Sequence, residues 1–278
     1  MDWDGKTWSY SRVNAYLQCP MSWAFKYHPK YHVKKPRSEF LAMGVAVHDA
    51  MEYINKLRIE GTPFGDIEVD KLRNVLINSF TEQRMDSMSV DFDIATENEL
   101  VATSLSMIAG YLGRYGGTDD DIIPVHSEYH MTTEVDKDII LQGYIDGIIG
   151  DNKILDYKTA GKRWMVGREF KELQPAFYSL LMGKDIEFVF DIMLKHKKID
   201  FDSFDRRFVR VGVNGRDKAK NLIKLVADAV KKEVFVPALG SNTCNYCDYA
   251  EECNALICKC PDGDVNELLK AVGKDVER

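Results

Sequence analysis

The chain has 278 residues, 45% of them hydrophobic and 11% aromatic, with eight prolines. That is enough for one large domain or two small ones with a full core, which argues against disordered and fibrous architectures. No apolar run approaches the ~20 residues of a membrane span, the opening residues are acidic where a secretory signal is basic, and a net charge of −7 argues against a general nucleic-acid coat.

Along the chain, WSYSRVNAYLQCP predicts a helix starting at Ser9 or Ser11, with Pro20 as a break. Ser38 caps a long helix, EFLAMGVAVHDAMEYINKLRIE, that Gly61 ends. Helical stretches follow around 66–86 and 95–114. From 122 the character changes, and IIPVHSEYHMTTEV, DIILQGYIDGIIG and KILDYKT read as three strands. A helix over roughly 169–182, strands over 186–195 and 204–213, a helix over 215–233, a cysteine module and a charged tail (261–278) complete an α/β (α+β) fold around a mixed, mostly antiparallel sheet.

Charge is segregated along this map. Residues 86–121 carry eight acids and one base, residues 21–37 five Lys/Arg and no acid, and residues 203–233 nine bases against four acids. The two basic stretches are either ordinary solvated faces or parts of a local groove for a polyanion.

The stretch 143–159, GYIDGIIGDNKILDYKT, carries the chemistry. A three-residue hairpin loop at Gly150-Asp151-Asn152 puts Ile149 opposite Lys153 and Asp146 opposite Asp156, with Cβ atoms ~4.5–5.5 Å apart. Lys158 then shares the face of Asp156. Two carboxylates that close need a positive charge between them, and a divalent cation on oxygen ligands supplies it. A two-residue loop would instead send the aspartates to opposite faces. The isoleucines and Leu155 around them predict a sheet buried on at least one side, where unpaired acids are disfavoured.

Asp146…Asp156-Tyr157-Lys158 resembles the D…(D/E)-x-K core of the PD-(D/E)xK nuclease superfamily, with Ile145 where the superfamily name has proline. Four more features resemble its RecB/AddB-like branch, which includes CRISPR-associated and phage-encoded iron–sulfur exonucleases. They are SYSRVNAYLQCP at the start, Gly44 to His48 as G-x-x-x-H, Gln174 to Tyr178 as Q-x-x-x-Y, and Cys244, Cys247 and Cys253 with Cys19 far upstream. The resemblance implies a restriction-endonuclease-like core in a single nuclease domain. Its parts would be N-terminal helices (1–60), a helical insertion (61–118), the catalytic core (119–235) and an iron–sulfur module (236–260).

It further implies that Asp146, Asp156, His48, the Tyr157 carbonyl and, more weakly, Glu128 ligate Mg²⁺ or Mn²⁺, that Lys158 acts on the attacking water, and that Gln174 and Tyr178 lie near the DNA strand. Gly44 would let another backbone approach its helix.

Six cysteines, five of them within 244–260, point to a metal or cluster rather than disulfides. The spacing alone leaves two arrangements open: a local zinc site using Cys258 or Cys260, or a four-thiolate [4Fe–4S] site recruiting Cys19. The resemblance implies the second, leaving Cys258 and Cys260 as free thiols or alternates.

The expected protein is thus a cytoplasmic (host-cytoplasmic, if phage-encoded) metal-dependent exonuclease on single-stranded or duplex DNA ends. A helicase, recombinase or CRISPR-adaptation partner would accompany it, since no nucleotide-binding G-x-x-x-x-G-K-(S/T) loop is present. The rival expectations are a non-catalytic DNA-binding subunit of a larger complex and a zinc-ribbon DNA-binding regulator.

Overall fold

The computed structural model describes residues 4–36, 38–85, 93–118, 121–195, 200–240 and 242–258. Cys260, the tail 261–278 and the Cys258 side chain lie outside the described residues.

In chain order the elements are β1 (Thr7–Trp8), α1 (Tyr10–Gln18), α2 (Pro20–Tyr27), α3 (Glu39–Ile59), α4 (Val69–Met85) and α5 (Ile94–Tyr115). There follow β2 (His126–Asp136), β3 (Ile139–Ile149), β4 (Lys153–Ala160), α6 (Gln174–Met182), β5 (Ile186–Leu194), β6 (Phe204–Val211), α7 (Val213–Lys231) and α8 (Ala250–Cys258). Among the described residues no helix is long and apolar enough to cross a membrane.

Local chemistry explains most boundaries. The Ser9 and Ser38 side chains accept the backbone N–H groups of Arg12 and Leu41 and so cap α1 and α3. Pro20 is more than a break: Cys19 turns extended, and Pro20 then opens α2 at the one helical position where its missing N–H costs nothing. Pro175 acts likewise, so α6 starts at Gln174 and not near 169 as expected.

The chain forms two compact units, one of Met1–Lys35, Thr132–Gln142 and Asp217–Arg278, the other of Pro36–Met131 and Gly143–Arg216. In the second, β4 pairs with β3 antiparallel and with β5 in parallel, and β6 pairs antiparallel with β5. Helices α3, α4 and α5 cover one face, where Met43, Leu76, Phe80 and Ile108 form a core with Leu155, Tyr157, Val189 and Met193. On the other face Tyr178 of α6 meets Phe188 edge-on at 5.7 Å, and Trp164 packs on Phe190 at 5.1 Å. The near-continuous apolar run of β5 follows from burial on both faces. This is the helix-flanked mixed sheet expected from the sequence.

One charge sits inside that run. Asp191, 0% exposed, takes Arg206 Nε and Nη2 at 2.5 and 2.8 Å and the Tyr111 hydroxyl at 2.5 Å. Removing the arginine strands a buried carboxylate. Arg206→Ala should therefore lower stability by about 3–5 kcal/mol, while Asp191→Leu with Arg206→Met together should cost far less. Urea unfolding midpoints check both.

In the first unit β1 pairs in parallel with Ile140–Leu141, and the Trp23 ring lies between Trp8 and Phe235, stacked at 5.9 Å on each. Tyr16 donates to the Val234 carbonyl at 2.6 Å, Lys30 pairs with Glu233 at 3.1 Å, and Lys35 with Glu252 at 2.6 Å. The N-terminal helices are thereby tied to the segment carrying the clustered cysteines.

Such pairings bear on the two readings of the basic stretches. Arg206, Arg207, Arg210, Arg216, Lys224 and Lys232 each face an acid (Asp191, Asp205, Glu187, Asp185, Asp136 and Asp228), as do Lys30 and Lys35. Six of the nine bases in 203–233 are thus paired, which makes that stretch a largely neutralised face, and in 21–37 Lys30 and Lys35 are paired.

Candidate active site

The β3–β4 hairpin turns at Gly150, whose φ of +55° is the left-handed conformation that favours glycine. Its register is Ile149↔Lys153, Ile148↔Ile154 and Gly147↔Leu155, as the three-residue loop requires. Beyond that point a side chain takes over, because the Tyr157 N–H donates to Asp146 Oδ2 at 2.8 Å. Asp146 is thereby fixed against β4.

The Asp146 carbonyl is held as well. It accepts from Ser127 Oγ at 3.1 Å and from Asn55 Nδ2 at 3.4 Å, while Asn55 Oδ1 accepts the Tyr157 hydroxyl at 3.0 Å. Asn55, 3% exposed, links α3, β3 and β4 at the carboxylate. Sequence reasoning missed it. The available signal is a polar residue on the buried side of α3, beside Met51 and Ile54.

Around this support, ligand atoms of His48, Glu128 and Asp146 all lie within 4.8 Å of one another, and His48 Nδ1 is 3.2 Å from Asp146 Oδ2. Glu128 holds a φ of +46° inside β2, a strained conformation for a side chain of its kind. Asp156 stands next to this trio on β4. Its Oδ1 accepts Gln174 Nε2 at 2.5 Å, and its buried Oδ2 pairs with Lys158 Nζ at 2.7 Å.

The electrostatics reflect negative charge gathered away from water. Burial disfavours a charged His48, but Asp146 and Asp156 outweigh it and push the imidazole up to about 9. Burial and then Asp146 push Glu128 up to about 7. Burial also opposes the Asp146 carboxylate, yet His48, Lys158 and the Tyr157 N–H hold it below the ordinary aspartate range. Asp156 is raised, by burial first and by Asp146 next, with Lys158 opposing. Two carboxylates and an imidazole this close suit a hard divalent cation.

Gln174 and Tyr178, expected beside the DNA strand, turn inward. They are 6% and 9% exposed, Gln174 holding Asp156 and the Tyr178 hydroxyl donating to the Tyr144 carbonyl at 2.7 Å. Their shared helix face braces the site from behind. Gly44 is likewise not demanded by a close approach, since a Cβ there would meet Thr159 Oγ1 at 3.5 Å, an ordinary contact.

In the first unit Cys19, Cys244, Cys247 and Cys253 line one cavity of about 140 Å³. Burial and the other three thiols raise the Cys253 pKa.

The profile of the PD-(D/E)XK nuclease superfamily matches residues 7–254. The chain belongs to this superfamily, and is therefore a hydrolytic nuclease of a kind that uses divalent metals. Among solved structures it is similar to a candidate exonuclease from Eubacterium rectale, at 13% identity over 87% of this chain and 88% of that one, with a TM-score of 0.49. It is also similar to SSO0001, at 11% identity over 87% and 91%, with a TM-score of 0.37.

Proposed function

We propose that this protein is a Mg²⁺- or Mn²⁺-dependent deoxyribonuclease, an exonuclease acting on single-stranded or frayed DNA ends, with a structural iron–sulfur cluster. The approach of His48, Glu128 and Asp146 within 4.8 Å, beside the Asp156–Lys158 pair, carries this reading.

In it, Asp146, Asp156, His48, Glu128 and the Tyr157 carbonyl hold the cation. When bound, that ion supplies charge stabilisation at the scissile phosphate and makes water a stronger nucleophile. Lys158, 30% exposed at its side chain, orients that water and offsets charge developing on the phosphate. Gln174 and Tyr178 position Asp156 and β3. The four thiolates hold the cluster, whose role is to join the first and last parts of the chain. The resemblance to free-standing nucleases of recombination, repair and spacer acquisition supports work beside a helicase, recombinase or CRISPR-adaptation partner.

End-labelled DNA tests the substrate. A linear single strand should shorten stepwise from one end while a circular single strand stays intact. Cleavage of the circle would overturn the exonuclease assignment.

Cation entry must displace the protons on His48 and Glu128, whose pKa values are about 9 and about 7. Mn²⁺ affinity should therefore rise between pH 6 and pH 9 with net proton release. Calorimetry in two buffers of different ionisation enthalpy measures both.

A further inference from the structure

Two aromatic rings stand open at the cavity that holds the carboxylates. Phe40, in the first turn of α3, is 60% exposed, and Tyr144, in β3, is 57% exposed. Both line the same cavity of about 570 Å³ as His48, Glu128 and Asp146. Tyr144 precedes Asp146 by two residues, so the strand period puts the two side chains on one face. Phe40, Gly44 and His48 recur at four-residue intervals along one side of α3.

Each ring is held from behind. The Tyr144 ring stacks on His130 at 4.5 Å between centroids, and its carbonyl accepts the buried Tyr178 hydroxyl. Lys195 donates to the Phe40 carbonyl at 2.8 Å and sets its ammonium 5.6 Å from the centre of the Phe40 ring. Each ring thus has one supported side and more than half its surface open to water.

An isolated exposed aromatic is ordinary on a protein surface. Two supported rings in the cavity that receives a phosphodiester are a different matter, because the groups beside that bond are flat bases. In a duplex those bases are stacked on their neighbours and have no face to offer. In a single strand they do, and stacking on a protein ring is worth about a tenfold loss of affinity or more when the ring is removed. Lys195, in the same cavity, adds a positive charge suited to a flanking phosphate.

We infer that Phe40 and Tyr144 are base-stacking platforms on either side of the scissile phosphate, which make the site selective for single-stranded DNA, an inference that rests on the nuclease reading above. Gln174 and Tyr178, the pair expected to meet DNA, are then replaced in that role by two residues nearer the opening. Tyr178 serves the platform indirectly, by fixing the backbone of Tyr144.

Steady-state hydrolysis of an oligodeoxynucleotide with and without abasic sites flanking the cleaved bond tests this. Phe40→Ala and Tyr144→Leu should each raise KM on the intact strand about tenfold, with the loss falling on KM rather than kcat. Tyr144→Phe, which keeps the ring, should lose much less. On the abasic strand the wild-type KM should rise to the level of the variants, and the substitutions should add nothing further. Circular dichroism and Mn²⁺ titration establish that each variant is folded and binds metal.

A KM unmoved by either substitution, or losses that add to the abasic penalty, would overturn the stacking role while leaving the nuclease assignment standing. No cleavage by the wild-type protein would instead defeat the nuclease reading and this inference with it.

Discussion

Asp156→Asn will slow phosphodiester hydrolysis by about 10³-fold or more and leave the protein folded. The two halves of that expectation have separate causes. The asparagine matches the aspartate in size, and its oxygen can still accept Gln174 Nε2, so the buried hydrogen bond to α6 survives. What disappears is the negative charge 2.7 Å from Lys158 and beside Asp146. In the proposed site the cation would lose a ligand, and Lys158 loses the carboxylate paired with its ammonium.

The buried carboxylate is also a local liability, since burial and Asp146 raise its pKa. Its charged form is disfavoured in the folded state, so neutral asparagine should leave the melting temperature of the metal-free protein unchanged or higher. Single-turnover rates and thermal melts measured on one preparation separate the effects. Loss of activity together with loss of fold would point to a structural role.

The second large effect concerns the cysteines. Wild-type protein purified without oxygen should contain four irons and four labile sulfides per chain. Cys247→Ser should lose them and melt at least about 10 °C lower. All four cysteines line one cavity. A cluster would add a covalent tie to the ring contacts, the Tyr16–Val234 hydrogen bond and the ion pairs to Glu233 and Glu252 that join the N-terminal helices to the C-terminal segment. One zinc per chain, with no iron, would contradict the cluster.

How much could be read beforehand depended on whether short-range chemistry decided the matter. The hairpin register was legible because Gly150-Asp151-Asn152 suits a three-residue loop and a one-residue slip would bury the wrong face. Helix α3 was legible from its Ser38 cap and the Gly61 that follows its end. The four cysteines, far apart in sequence, were grouped through the resemblance, and the structure places them at one cavity.

Long-range pairings were not legible. Nothing in HSEYH signals that Glu128 adopts a positive φ, a conformation imposed by its surroundings. The Q-x-x-x-Y spacing showed that Gln174 and Tyr178 share a face but not that the face looks inward. The stretch 203–233 had the composition of a DNA groove, yet several of its bases pair with acids outside it, Asp191 and Glu187 on the neighbouring β5 and Asp136 on β2.

The most direct measurement is hydrolysis of an end-labelled single strand by EDTA-treated, cluster-loaded protein as Mn²⁺ is added back. No cleavage without the ion, and a saturable return of cleavage that His48→Ala shifts to higher Mn²⁺, is the predicted result. Cleavage that persists in EDTA, or an intact strand at saturating Mn²⁺, would contradict it.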